Sequence, residues 1–341
     1  MIGHLKKTAL ATALVTLSTA GAWAQEVTLN LHQLLPMQAT IPAKAITPWI
    51  EKVEAESGGR IKIEHFPTMQ LGGSPPELYD QAADGVADII WTVIGYTPGR
   101  FPKTEAFELP FMVGGSAGSS KAFHEYVLAN GMDEFSDTHP IVLHTHGSGW
   151  IHSNKNVTTL DDVAGQKLRG PTRVTAQLLD KLGATPVGMP VPAVPEAVSK
   201  GAIDGAIIPW EVTLPLKMSE LTKHHSGFAT KPGLYTATFV MTMNKDSYAA
   251  LPDDLKAVID ANSGPEVSAL FGAAMDAADV VGRKVATDAG NTITELDSEK
   301  DRWIEVGAQV TNDWIAEMDG KGLDGAALVQ SAKDFIAANA D

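Results

Sequence analysis

The 341-residue chain contains no cysteine. A disulfide framework and thiolate chemistry are therefore closed to it, and a cleaved leader cannot end on a lipid-anchored cysteine. Apolar runs long enough to span a bilayer are missing as well: the longest candidate, Thr8 to Ala20, falls short of the roughly 20 residues that a spanning helix needs. Positive charge is scarce, with 26 Lys and Arg against 41 Asp and Glu, a formal charge of −15. Such a balance makes nucleic acid and anionic membrane poor partners. There is no phosphate-cradling loop, no internal repeat and no low-complexity segment.

What is present begins with a secretory signature. His4, Lys6 and Lys7 form a basic start, Thr8 to Ala20 is apolar or small, and Ala22-Trp23-Ala24 supplies small residues for a cut after Ala24. Residues 1–24 thus read as a signal peptide and the periplasm as the destination. Loss of Lys6 and Lys7 takes the formal charge to −17. Val27 to Leu34 reads as a strand, Trp49 to Glu54 as a helix stopped by Ser57-Gly58-Gly59, and Arg60 to Phe66 alternates as a half-buried strand. Strand, helix, strand opens a parallel α/β sheet. Ser74-Pro75-Pro76-Glu77 predicts a capped helix start, and Ala87 to Ile94 a strand buried on both faces. Gln33, at the end of the first strand, and Trp91 and Thr92, near the end of the buried one, lie where open α/β sheets meet ligands. Gly147-Ser148-Gly149-Trp150 reads as a crossing between lobes.

The segment Asp161 to Pro171 carries one cation of interest. Gly165 closes a turn, a short strand follows, and Gly170-Pro171 ends it, which leaves Arg169 at a strand tip. A guanidinium there offers a planar fork matched to a carboxylate. A solvated edge or an internal ion pair are the alternatives. Metal chemistry finds little support: His144 and His146 alternate on one strand face without a third ligand, and His224 and His225 point apart.

Four patches together are more specific: Phe66-Pro67-Thr68-Met69-Gln70-Leu71-Gly72, Phe107-Glu108-Leu109-Pro110-Phe111, Asp162 to Arg169, and Gly201-Ala202-Ile203-Asp204-Gly205. In order and spacing they resemble the DctP-type solute-binding proteins of tripartite ATP-independent periplasmic (TRAP) transporters, over nearly all of the mature chain. The resemblance implies an α/β, two-lobed periplasmic binding protein fold (Venus flytrap) with a long helix spanning both lobes. Lobe I would comprise residues 26–146 plus 238–277, and lobe II residues 147–237 plus 278–341. It also implies that Arg169 binds the ligand carboxylate and that Thr92 meets ligand. Further candidate contacts are Gln33, Gln70, Trp91, Trp150, Pro171 and Val191.

One departure from the family pattern bears on the ligand. Ile208 stands where many relatives have a ligand-contacting asparagine, and Trp210 follows two positions on. An alkyl side chain in place of an amide favours an apolar ligand surface, because an unpaired polar ligand group costs about 1–3 kcal/mol. The expected function is capture of an apolar or aromatic organic monocarboxylate through Arg169, for delivery to small and large TRAP membrane subunits, with no catalysis and no cofactor. The alternatives are a dicarboxylate or sugar acid ligand, a secreted lyase or isomerase, and a sensor docking on a receptor. A bridging cation held by Glu211 and the Trp210 carbonyl is a minority alternative.

Overall fold

A computed structural model describes residues 26–340. The expected signal peptide lies outside the described residues. In chain order the elements are β1 (Val27–Gln33), α1 (Thr47–Glu56), β2 (Ile61–Phe66), α2 (Leu78–Ala83), β3 (Ile89–Val93), α3 (Ser116–Asn130) and β4 (Thr138–Thr145). The chain then builds β5 (Trp150–Ser153), β6 (Lys167–Gly170), α4 (Arg173–Lys181), β7 (Thr185–Gly188), α5 (Val194–Ser199), β8 (Gly205–Ile208), α6 (Trp210–Leu216), α7 (Met218–Leu221) and β9 (His224–Gly227). It returns through β10 (Thr238–Asn244), α8 (Lys245–Ala250), α9 (Asp253–Ala261) and α10 (Pro265–Asp288), and ends in β11 (Thr292–Glu295), α11 (Lys300–Gly320) and α12 (Gly325–Ala338).

Two sheets result. The first has the order β2-β1-β3-β10-β4, the second β11-β9-β5-β8-β6-β7. In the first, β1 pairs in parallel with β2 and β3, whereas β10, arriving from the second lobe, runs antiparallel between β3 and β4. Burial follows position: all five residues of central β3 are buried, while Ile61 to Glu64 of edge strand β2 alternate between buried and exposed. Pro186 is tolerated in β7 because that strand lies at a sheet edge. In α4, Val174, Leu178 and Leu179 share one buried face, and the Thr172 hydroxyl caps the helix by accepting from the Thr175 amide.

The helix beginning near Ser74 exists, but its capping box does not form. The Ser74 hydroxyl instead donates to the Glu77 carboxylate at 2.8 Å, and a short 3-10 turn precedes α2. Strand β11 breaks a C-terminal region whose spacing suggests helix throughout; its four residues pair in parallel with β9.

α10 spans the two lobes by packing on α3 on one side and α6 on the other. Asp276 accepts hydrogen bonds from the Ser116 and Ala117 amides at 2.7 and 2.8 Å, at the start of α3. Asp279, one turn on, accepts from the Glu211 amide at 2.6 Å, at the start of α6. Glycine makes both approaches possible: a Cβ on Gly272 would collide with the Ser116 carbonyl, and one on Gly282 with the Trp210 carbonyl. No helix among the described residues is long and apolar enough to cross a membrane.

Candidate functional site: an arginine in an aromatic cavity

A cavity lies between the two sheets. One wall comes from the first lobe, through Leu34, Leu35, Trp91, Val93, Tyr96 and Phe239. The other comes from the second, through Arg169, Pro171, Val191, Ile208, Glu211 and Val212, and the crossing segments add His146 and Tyr235.

Strand β6 pairs with both β7 and β8, which fixes Arg169 opposite Val187 and Ala206. The residue is only 2% exposed. Its Nε donates to the Met189 carbonyl at 2.9 Å, Nη1 to the Ile207 carbonyl at 3.4 Å and Nη2 to the Tyr96 hydroxyl at 3.4 Å. No carboxylate forms an ion pair with it among the described residues, so the internal ion pair and the solvated edge are both ruled out. A guanidinium carries five N–H donors, and two of them have no partner here. Such a charge, desolvated and unneutralised, calls for an anion.

Two hydroxyls stand with it. Tyr96 accepts from the Val191 amide at 2.8 Å as well as from Arg169, so its own O–H remains free to donate. Tyr235 is 1% exposed and its hydroxyl has no hydrogen-bond partner. Burial raises the pKa of both, and the Arg169 charge opposes that rise without cancelling it, so both stay protonated donors. His146 is neutral: burial lowers it to about 4, its Nδ1 donates to the Gly147 carbonyl at 2.5 Å, and its Nε2 accepts from the Ala237 amide at 3.0 Å.

Apart from Glu211, the rest of the lining is apolar. Trp91 spends its indole N–H on His144 Nε2 at 2.9 Å and stacks with Phe239 at 5.4 Å between centroids, which leaves ring surface for the cavity. Glu211 is the one acidic lining residue. Burial, and then the charge of Asp279, push its carboxyl up to about 8, so it is protonated at neutral pH.

Of the residues singled out in the sequence, Arg169, Ile208, Trp91, Pro171 and Val191 line the cavity. Trp210 does not. Its ring packs instead against Trp150 at 5.5 Å and His152 at 4.8 Å, and so Trp150 is also drawn into a packing cluster away from ligand. Gln33 is buried but folds back on the Leu35 backbone, donating at 2.8 Å and accepting at 2.5 Å. Thr92 is buried and donates to the Pro75 carbonyl at 3.4 Å, and Gln70 is exposed on a turn. These five side chains lie outside the cavity lining for one reason: a strand or loop position fixes where Cα lies, whereas local contacts decide where the side chain goes. The Trp210 carbonyl, named as a possible cation ligand, accepts from the Thr213 hydroxyl and abuts Gly282. No group of three or more His, Asp or Glu able to hold a metal occurs among the described residues.

Tyr96, Tyr235 and His146 are the contributors that sequence reasoning missed. Tyr96 had a usable signal, since it follows the carboxyl end of β3. Tyr235 sits in an irregular crossing segment without periodicity and had none.

Residues 35–317 match the model of the DctP family, the bacterial extracellular solute-binding proteins of family 7. The chain belongs to this family. Among solved structures of DctP-type proteins, a TRAP solute-binding protein from Rhodoferax ferrireducens T118, in complex with copurified benzoate, is 47% identical; the alignment covers 92% of this chain and 98% of that one, with a TM-score of 0.90. A marine metagenome TRAP solute-binding protein specific for aromatic acid ligands, holding 3-hydroxybenzoate, is also 47% identical, with coverages of 93% and 100% and a TM-score of 0.91. A third, from Bordetella bronchiseptica with bound (R)- and (S)-mandelate, is 26% identical over 92% and 99%, with a TM-score of 0.84. The two-lobed periplasmic binding protein fold expected of a TRAP solute-binding protein is thereby confirmed, and the DctP family is one of solute-binding receptors.

Proposed function

We propose that this chain captures an aromatic or otherwise apolar monocarboxylate between its lobes and hands it, in the periplasm, to the small and large membrane subunits of a TRAP transporter. The observation that carries this reading is the cavity's charge: one unneutralised cation, Arg169, in a lining whose other titratable side chains are neutral at pH 7. One carboxylate satisfies it. A second carboxylate would face Glu211 or the Trp91–Phe239 surface with no second cation, which argues against a dicarboxylate. A sugar acid would leave most of its hydroxyls against Leu34, Leu35, Val93, Ile208 and Val212. The ligands named for the 47% identical relatives, benzoate and 3-hydroxybenzoate, fit the same chemistry.

Binding energy from both walls would favour the closed arrangement, in which Tyr96 of one lobe meets Arg169 and Val191 of the other. Capture on this reading needs no cofactor and no cation, and the ligand leaves unchanged. The test is isothermal titration of the mature protein with benzoate, phenylacetate and aliphatic monoacids against succinate and a hexuronate, after chelation and in sodium-free buffer, with the ligand recovered and analysed afterwards. Saturable binding of monoacids and their intact recovery is the expected result. Binding confined to diacids or sugar acids, dependence on a cation, or turnover would overturn the reading.

A further inference from the structure

The cavity has a second polar feature that carboxylate capture leaves unused. Arg169 and the Tyr96 hydroxyl that it bonds mark one part of the lining. Glu211, whose amide is held by Asp279 on α10, belongs to another. The chain path agrees, because Arg169 lies beside Ala206 within β8, whereas Glu211 lies past the strand's end, in the first turn of α6.

Glu211 is built in firmly. It is 4% exposed, and its amide is held by Asp279 at 2.6 Å. Asp279 faces the start of α6, where negative charge is favoured, so of this acidic pair Glu211 holds its proton more tightly. Thr40 lies beside the Glu211 carboxyl and favours its ionised form. A protonated carboxyl has one donor and further acceptor capacity, so Glu211 is able both to give and to receive. Leu34, Leu35 and Val212 line the cavity without competing for it, and the Trp91 N–H is committed to His144.

We infer that Glu211 is a specificity-determining residue that hydrogen-bonds a hydroxyl on the ligand's ring, remote from the carboxylate held by Arg169. The ligand class narrows accordingly, from aromatic acids in general to hydroxylated aromatic acids. This inference rests on the monocarboxylate reading above.

The experiment is titration of the mature protein, and of its Glu211→Leu and Glu211→Gln variants, with benzoate, 3- and 4-hydroxybenzoate and the matching 3- and 4-methylbenzoates. Methyl and hydroxyl are close in size, so the ratio within each pair reads the hydrogen bond. For the wild type we expect at least one hydroxy acid to bind about fivefold or more tighter than its methyl partner, the scale of one net hydrogen bond. Glu211→Gln keeps that preference, because an amide both donates and accepts. Glu211→Leu abolishes or reverses it, and thermal melts of each variant establish folding. A hydroxyl preference that survives in Glu211→Leu overturns the inference, as does a wild type that binds the aromatic acids without any such preference. Parallel loss of benzoate and hydroxybenzoate binding in both variants would overturn it too, by showing a role in the fold. Failure of the wild type to bind any aromatic acid would bring down the monocarboxylate reading itself.

Discussion

Replacing Arg169 by methionine separates what the residue does for the ligand from what it does for the fold. In the empty protein the side chain makes three hydrogen bonds, two of them long at 3.4 Å. At about 0.5–1.5 kcal/mol each, with the long pair at the weak end, their loss costs roughly 2–3 kcal/mol. Against this, the variant no longer buries a guanidinium without a counter-ion, a penalty of several kcal/mol, and methionine fills much of the vacated space. The two effects oppose, so the ligand-free protein should melt within a few degrees of wild type. Ligand binding has no such offset. Truncating one partner of a desolvated charge pair costs about 2–5 kcal/mol, or about 30- to 4,000-fold in Kd at about 1.4 kcal/mol per decade. With ligand at 100 times the wild-type Kd, binding contributes about 2.7 kcal/mol of stability, and a 30-fold weaker variant retains less than about 1 kcal/mol. At about 2 °C per kcal/mol the ligand-induced shift should fall from about 5 °C to less than 2 °C. Differential scanning fluorimetry with and without ligand, backed by titration calorimetry, measures both quantities. A variant that keeps its Kd within about threefold would refute the anion-capture argument. One that melts far below wild type when empty would refute the claim that the buried charge is unneutralised.

Other outcomes follow from the same structure. Tyr235→Phe removes a hydroxyl with no partner, so the empty protein should be as stable as wild type or slightly more, while carboxylate affinity drops about 3- to 10-fold by calorimetry. Gly282→Ala drives a methyl into the Trp210 carbonyl and should cost about 1–3 kcal/mol in urea unfolding, whereas alanine at Gly320, the last residue of α11, meets no neighbour and should be tolerated. Stability should peak near pH 6–7. His65, His124, His146 and His225 are lowered to about 4 and His144 to about 3, chiefly by burial, so their contribution is complete above about pH 6.5 and is lost on acidification toward pH 4. Glu108, Glu134 and Asp279 are raised to about 7 and Glu211 to about 8, again chiefly by burial, so their contribution is complete below about pH 4.5 and is lost as pH rises through 7 to 8. Melting temperatures measured from pH 5 to 8.5 check the maximum, and a monotonic profile would contradict it.

The sequence made the framework legible because periodicity and breakers agree there: β3 is continuously apolar, β2 alternates, and Gly170-Pro171 places Arg169 at a strand end. Arg169 could be singled out because a guanidinium at such a position has few roles, and Ile208 because its alkyl group could only add apolar wall. The ring expected beside Arg169 lies outside the cavity lining. Trp210 is drawn away by the Trp150–His152–His225 cluster, and the surface it was expected to supply comes from Trp91 and Phe239, which lie on strands adjacent in space but far apart in the chain. Pattern along one segment carries no record of such long-range competition for a side chain. The same limit hid Tyr235, whose hydroxyl matters only because Arg169 has been folded next to it.

The paired aspartates of α10 have a mechanical consequence. A helix rises about 1.5 Å per residue, so Asp276 and Asp279 are about 4.5 Å apart along its axis. The starts of α3 and α6, one from each lobe, are therefore pinned at nearly the same point. Two bodies fastened at one point can swing about that fulcrum but cannot slide past each other without breaking a fastening. Tyr96 and Arg169, whose hydrogen bond bridges the cleft, lie on the two bodies that such a swing would separate.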